Sequence, residues 1–95
     1  MDALGEWRKK IDDVDVQLVG FLNKRAQYAE EIGRVKLTLG LEAYSPEREE
    51  EVMQHVMKLN SGPLSKQALR RLFERIIDES RAVERSSMVG EKKGS

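Results

Sequence analysis

The chain has 95 residues, with 17 basic and 17 acidic side chains, a single histidine and no cysteine. Balanced charge leaves no face basic enough to favour nucleic acid or a membrane surface, and the lack of cysteine excludes a disulfide framework and thiolate chemistry. His55 alone offers little to a metal, and no apolar run reaches membrane-spanning length, so the expectation is a cytoplasmic domain working through Arg, Lys, Glu and hydroxyl groups without metal or cofactor.

From about Asp2 to Leu39 the apolar residues keep a 3-4 spacing without proline, which predicts one long helix, and Gly40 stands where a C-terminal cap belongs. Gly5, Gly20 and Gly33 weaken this helix locally without breaking its register. Tyr44-Ser45-Pro46 is a start signal. Ser45 is placed as N-cap and Pro46 as the first helical residue, with Glu47, Glu49, Glu50 and Glu51 near the positive end of the helix dipole. The second helix carries Val52, Met53, Val56, Met57 and Leu59 and stops at Asn60-Ser61-Gly62-Pro63. A third begins near Ser65 and sets Leu69, Leu72, Phe73, Ile76, Ile77, Val83 and Met88 on one face. Nothing alternates with period two, so the class is all-α: residues 1–89 form one three-helix domain, and the polar stretch 90–95 is expected to be a disordered tail or linker.

Read as heptads, the first helix places Leu4, Ile11, Leu18, Arg25, Ile32 and Leu39 in one line and Trp7, Val14, Phe21, Tyr28 and Val35 in the other. Arg25 is the only charge in that stripe. A guanidinium desolvated there without a partner would cost several kcal/mol, so something anionic should meet it. An internal carboxylate, Glu49 or Glu84, and a bound ligand are both candidates.

About 37 residues at ~1.5 Å each make a helix of roughly 55 Å, whereas a compact chain of this size has a radius of gyration of only ~12 Å. Two shorter helices cannot cover such a stripe. The expected solution is an intertwined homodimer in which the long helices pair, favoured over an extended coiled coil because the later helices carry apolar faces of their own.

Other polar residues lie on or beside the apolar faces. Lys36 projects from nearly the same side as Arg25, three turns on, and Arg8 flanks the stripe roughly 25 Å before it. Within one chain Arg8 and Arg25 cannot grip one small molecule; in an antiparallel dimer they can. Arg48 and Glu49 precede Val52 and Met53 by one turn, and Ser80 and Glu84 continue the line of Phe73, Ile76 and Ile77. Each has a plainer reading: the cations as solvated flank residues, Ser80 bonded back to the Ile76 carbonyl, Glu49 as a helix-start acid. Together they suit a small ligand with two carboxylates and hydroxyl or ether oxygens.

The segments Trp7-Arg8-Lys9-Lys10-Ile11-Asp12, Leu22-Asn23-Lys24-Arg25, Ile32-Gly33-Arg34-Val35-Lys36, Ser45-Pro46-Glu47-Arg48-Glu49 and Leu72-Phe73-Glu74-Arg75-Ile76-Ile77-Asp78-Glu79-Ser80 together resemble the all-helical chorismate mutases, across about residues 4 to 86. The resemblance implies an intertwined homodimer that rearranges chorismate to prephenate on the shikimate route to phenylalanine and tyrosine. It makes Arg25 and the partner chain's Arg8 the carboxylate-binding pair and puts Lys36 on the ether oxygen and a nearby carboxylate. It further places Arg48 at the family's second-helix arginine, Glu49 at the acid that accepts from the substrate hydroxyl, and Ser80 near a substrate carboxylate.

Two positions depart from the family pattern. Ser45 stands where some members have Asp; a contact made by the main-chain carbonyl tolerates that change. Glu84 stands where the best-known bacterial members have a Gln donating to the ether oxygen, and other members also carry Glu. An ionised carboxylate cannot donate, so Glu84 is expected to act protonated. Two alternatives share the grip. One is a lyase of the same fold that eliminates pyruvate from isochorismate; the other is a prephenate- or chorismate-sensing module of a DAHP synthase, suggested by the Asn60-Ser61-Gly62-Pro63-Leu64 turn.

Overall fold

The computed structural model describes residues 2–90 and folds them into three helices, α1 (Ala3–Leu39), α2 (Pro46–Leu59) and α3 (Lys66–Gly90), with no strand among the described residues. The predicted boundaries hold to within a residue or two, and the local chemistry accounts for each. Gly40 adopts φ +71°, the left-handed conformation that closes a helix at low steric cost, and the Leu41 N–H returns to the Lys36 carbonyl at 2.8 Å. Ser45 occupies the N-cap position before Pro46, but its hydroxyl makes no capping bond; its carbonyl takes the Glu49 N–H at 3.0 Å. Ser65 does cap α3, its hydroxyl accepting the Ala68 N–H at 3.0 Å. Between α2 and α3 the Asn60 side chain braces the turn, accepting from the Gly62 N–H and donating to the Leu64 carbonyl.

Both α1 and α2 pack on α3, which is therefore the central element. Its meeting with α1 is close because Gly33 has no side chain: a Cβ there would sit 2.5 Å from the Glu84 carbonyl oxygen and 3.1 Å from the Glu84 Cα. Ala29, Gly33, Ala43, Met53, Ile77 and Ser87 are buried, a small core running along the C-terminal half of α1. The buried Ser87, whose hydroxyl donates to the Glu84 carbonyl at 2.9 Å, was not foreseen from sequence. Leu59 and Leu72, expected on apolar faces, are instead exposed in the single chain, and His55 is exposed as expected. Gly90, assigned to the tail, belongs to α3; residues 91–95 lie outside the described residues.

The outline is long and thin, 57 × 32 × 14 Å with a radius of gyration of 16.9 Å. A compact chain of this length would have ~12 Å. The difference is α1, whose N-terminal half extends beyond the other helices: Trp7 is 64% exposed, Ile11 and Val14 59% each and Phe21 67%. Monomeric proteins rarely leave so continuous a run of large apolar side chains in water. No described helix is long and apolar enough to cross a membrane.

Candidate active site

Where the C-terminal half of α1, the start of α2 and the middle of α3 converge, they enclose a cavity of about 400 Å³. Its walls repeat one spacing. Arg25, Tyr28, Ala29, Ile32 and Lys36 come from α1, Ser45, Arg48, Glu49 and Val52 from the N-cap and first turns of α2, and Ile77, Ser80, Arg81 and Glu84 from α3. Residues three and four apart share a helix face, so each helix presents one stripe of mixed apolar and polar groups to the same space. Seven of the eight expected site residues, Arg25, Lys36, Ser45, Arg48, Glu49, Ser80 and Glu84, meet here. Arg8 does not: it lies roughly 25 Å earlier along α1, beyond reach of this cavity within one chain.

The polar groups are already interlinked. The Arg25 guanidinium donates to the Ser80 hydroxyl. Lys36 Nζ donates to Glu84 Oε1 and to the Ala43 carbonyl, both at 2.7 Å. Arg81 grips Glu49 with two parallel bonds, Nε to Oε2 at 2.7 Å and Nη2 to Oε1 at 2.8 Å. Arg48 reaches outward to Glu51 at 3.2 Å, an exposed pair of the kind that contributes little to stability. Neither acid proposed as an internal partner for Arg25 forms an ion pair with it among the described residues, since Glu49 is taken by Arg81 and Glu84 by Lys36. Nor does Ser80 simply bond back along its own helix; it receives Arg25.

Four cations, Arg25, Lys36, Arg48 and Arg81, and two carboxylates, Glu49 and Glu84, therefore line the cavity, with Arg48 turned outward to Glu51. The surplus registers on Arg25, whose pKa is lowered by burial and by the nearby positive charge of Arg48, with Glu84 acting in the opposite sense. An arginine remains charged regardless, so its desolvation and repulsion are relieved by an anion brought in from outside. Arg81 shifts the other way, its pKa raised chiefly by the hydrogen bonds to Glu49. A larger groove of about 540 Å³ lies between α2 and α3, but Glu49, Glu50, Glu74 and Asp78 outnumber Arg70 on its walls, the wrong sign for a carboxylate ligand.

Sequence reading missed Arg81. It follows Ser80 directly and falls one turn after Ile77, the spacing that marks an inward position, but its sequence surroundings are those of many exposed helical arginines. What turns it inward belongs to other segments: Glu49 of α2, and the Tyr44 ring just before that helix, whose centroid is 5.1 Å from the guanidinium carbon.

A cationic cleft with apolar walls, hydroxyls and two carboxylates, set among helices, has the chemistry to suit a small dianion rich in oxygen functions. The family model described as chorismate mutase type II matches residues 7–85, and the chain belongs to that family. It is 42% identical over 78 residues to the bifunctional chorismate mutase/prephenate dehydratase of Neisseria gonorrhoeae, covering 82% of this chain and 21% of that protein. The corresponding protein of Pseudomonas aeruginosa is 42% identical over 88 residues, 87% of this chain and 24% of its own length. The chain thus spans about a quarter of the bifunctional relatives it matches. The solved structure of a chorismate mutase (form II) from Thermus thermophilus superposes with a TM-score of 0.86 at 33% identity, over 88% of this chain and 96% of that one.

Proposed function

We propose that the chain rearranges chorismate to prephenate as an intertwined homodimer, each site taking Arg8 from the partner chain. The cation surplus around Arg25 is the observation that carries this reading: it suits a ligand with two carboxylates and leaves no need for a nucleophile. A [3,3] rearrangement breaks an ether C–O bond and forms a C–C bond in one cyclic step. The protein need only hold the folded substrate and stabilise the negative charge that develops on the ether oxygen. A millionfold acceleration corresponds to ~8 kcal/mol, within the range of positioning plus a few preorganised charge-assisted bonds.

In this reading Arg25 and the partner's Arg8 bind the carboxylates, with Ser80 and Arg48 beside them. Lys36 has three N–H donors and spends two on Glu84 and Ala43, which leaves one for the ether oxygen. Glu84 can donate to that oxygen only while it carries a proton. Glu49 accepts from the ring hydroxyl. The Ser45 carbonyl, one of whose lone pairs serves the Glu49 N–H, retains the other for the substrate. The exposed stripe of α1 supports the dimer, because antiparallel pairing covers it and carries the start of one helix to the middle of the other. The partner enzyme favoured by the relatives is one that consumes prephenate, rather than a DAHP synthase.

The test is loss of chorismate absorbance on adding the purified chain, with the product identified by acid conversion to phenylpyruvate. Rapid conversion to prephenate is expected. A folded chain that leaves chorismate untouched, or that instead releases pyruvate from isochorismate, would overturn the reading.

A further inference from the structure

Glu49 is the one cavity-lining carboxylate held by two parallel hydrogen bonds among the described residues, and the residue that holds it is itself restrained from three directions. Arg81 bonds both oxygens of Glu49, reaches Asp78 Oδ1 at 3.1 Å and lies over the Tyr44 ring. The two side chains are about equally sheltered, at 22% and 23% exposure. A single hydrogen bond lets a carboxylate swing about its terminal torsion, whereas the fork of a guanidinium fixes the plane of the group. Each carboxylate oxygen has two lone pairs, and Arg81 occupies one on each. Those that remain are held at fixed directions on a residue that lines the cavity.

We propose that Arg81 is a positioning residue for the rearrangement: acting through Glu49 and without touching the substrate, it fixes the carboxylate so that a free lone pair receives the substrate's ring hydroxyl. The proposal rests on the chorismate mutase reading. It assigns Arg81 an effect confined to the hydroxyl. A residue that merely tied α2 to α3, or that only added positive charge to the cavity, would affect every dicarboxylate ether alike.

The experiment compares chorismate with its analogue in which the ring hydroxyl is replaced by hydrogen, each kcat/KM being divided by the uncatalysed rate of the same compound. The wild-type chain, Glu49→Ala, Arg81→Met and Arg81→Lys are measured side by side, with circular dichroism reporting the fold. Wild type is expected to prefer the hydroxyl-bearing substrate, Glu49→Ala to lose that preference, and Arg81→Met to reduce it about tenfold, the scale of one hydrogen bond to a charged group. Arg81→Lys, which supplies a point charge without the fork, should retain part of it. If Arg81→Met unfolds, Arg81→Lys carries the comparison by the same criterion.

Equal losses on both compounds, or an unchanged preference in the Arg81 variants while Glu49→Ala abolishes it, would overturn the proposal alone. A preference that survives Glu49→Ala would overturn it together with the role given to Glu49, and absence of turnover in the wild type would overturn it together with the reading on which it rests.

Discussion

Replacing Gly33 with alanine tests the crossing on which the cavity depends. The added Cβ would lie 2.5 Å from the Glu84 carbonyl oxygen, where ordinary contact begins at 3.4 Å, and it would also strike Ser87 Oγ. The serine can turn aside; the carbonyl belongs to the backbone of α3 and cannot, so the two helices must part by close to an ångström. Overpacking of this kind costs ~1–3 kcal/mol, and a backbone clash belongs near the upper end. Alanine recovers about 1 kcal/mol of helix propensity over glycine, leaving a net loss of roughly 2 kcal/mol. For a domain of this size that lowers Tm by roughly 8–16 °C. The displaced segment carries Glu84, so the 2.7 Å contact to Lys36 should open and turnover should fall with stability. Gly20 supplies the contrast, because a Cβ there meets nothing within 4 Å and the position lies off the heptad stripe. Gly20→Ala should therefore gain about 1 kcal/mol. Melting curves followed by circular dichroism at several protein concentrations separate these effects from dimer mass action. A Gly33→Ala chain that melts at or above the wild-type temperature would refute the close-approach argument.

Other expectations follow from the cavity. Arg25→Met should abolish turnover yet raise the melting temperature of the unliganded chain, because it removes a charge that burial and Arg48 both disfavour; a lower melting temperature with activity intact would make Arg25 a structural residue. Arg8→Ala and Arg25→Ala chains, each inactive alone, should recover about a quarter of wild-type activity when mixed in equal amounts and allowed to exchange. Half of the dimers are then mixed, each with one site free of both lesions, and no recovery despite exchange would contradict sites shared between chains. Glu84→Gln, whose amide supplies an N–H donor beside Lys36, should retain turnover, whereas Glu84→Met, which supplies none, should lose most of it. Equal activity in the two variants would show that no donor is needed at this position.

The helices and most residues that line the candidate site were readable from sequence because one signal encodes both. Inward positions recur every three or four residues, so a charged or hydroxyl residue in that rhythm, such as Arg25, Lys36, Ser80 or Glu84, announces a polar group facing a packed seam. Pro46 and Gly40 mark ends by covalent geometry, which tertiary context seldom overrides. The sequence was less informative where a residue's role depends on another element. Gly33 reads as a local weakness in a helix; only the approach of α3 turns it into a crossing point. Arg81 resembles Arg75, a residue that pairs with Glu79 along its own helix, until Glu49 and Tyr44 of another segment are set beside it. Glu49 and Glu84 were equally plausible partners for Arg25, and their commitments to Arg81 and Lys36 are tertiary facts with no periodic signature. Leu59 and Leu72 carry the right spacing for a core that the single chain does not supply.

The uncovered stripe and the unmatched charge have a common resolution in the proposed dimer. With Arg48 turned to Glu51 and Arg81 to Glu49, Arg25 alone is a poor clamp for a dicarboxylate, and the second candidate, Arg8, sits on the same helix at a distance that no single-chain rearrangement can close without bending α1. Apolar burial has no directional preference of its own. Here it acquires one, since covering Trp7, Ile11, Val14 and Phe21 with an antiparallel copy of the same helix also sets Arg8 opposite the partner's Arg25. In the proposed dimer the hydrophobic contacts between the chains would thus perform the positioning that the chemistry requires. Most of the cost of bringing two guanidinium groups close to each other would then be met during assembly, before substrate arrives, and a bound dianion would release the repulsion that assembly had stored.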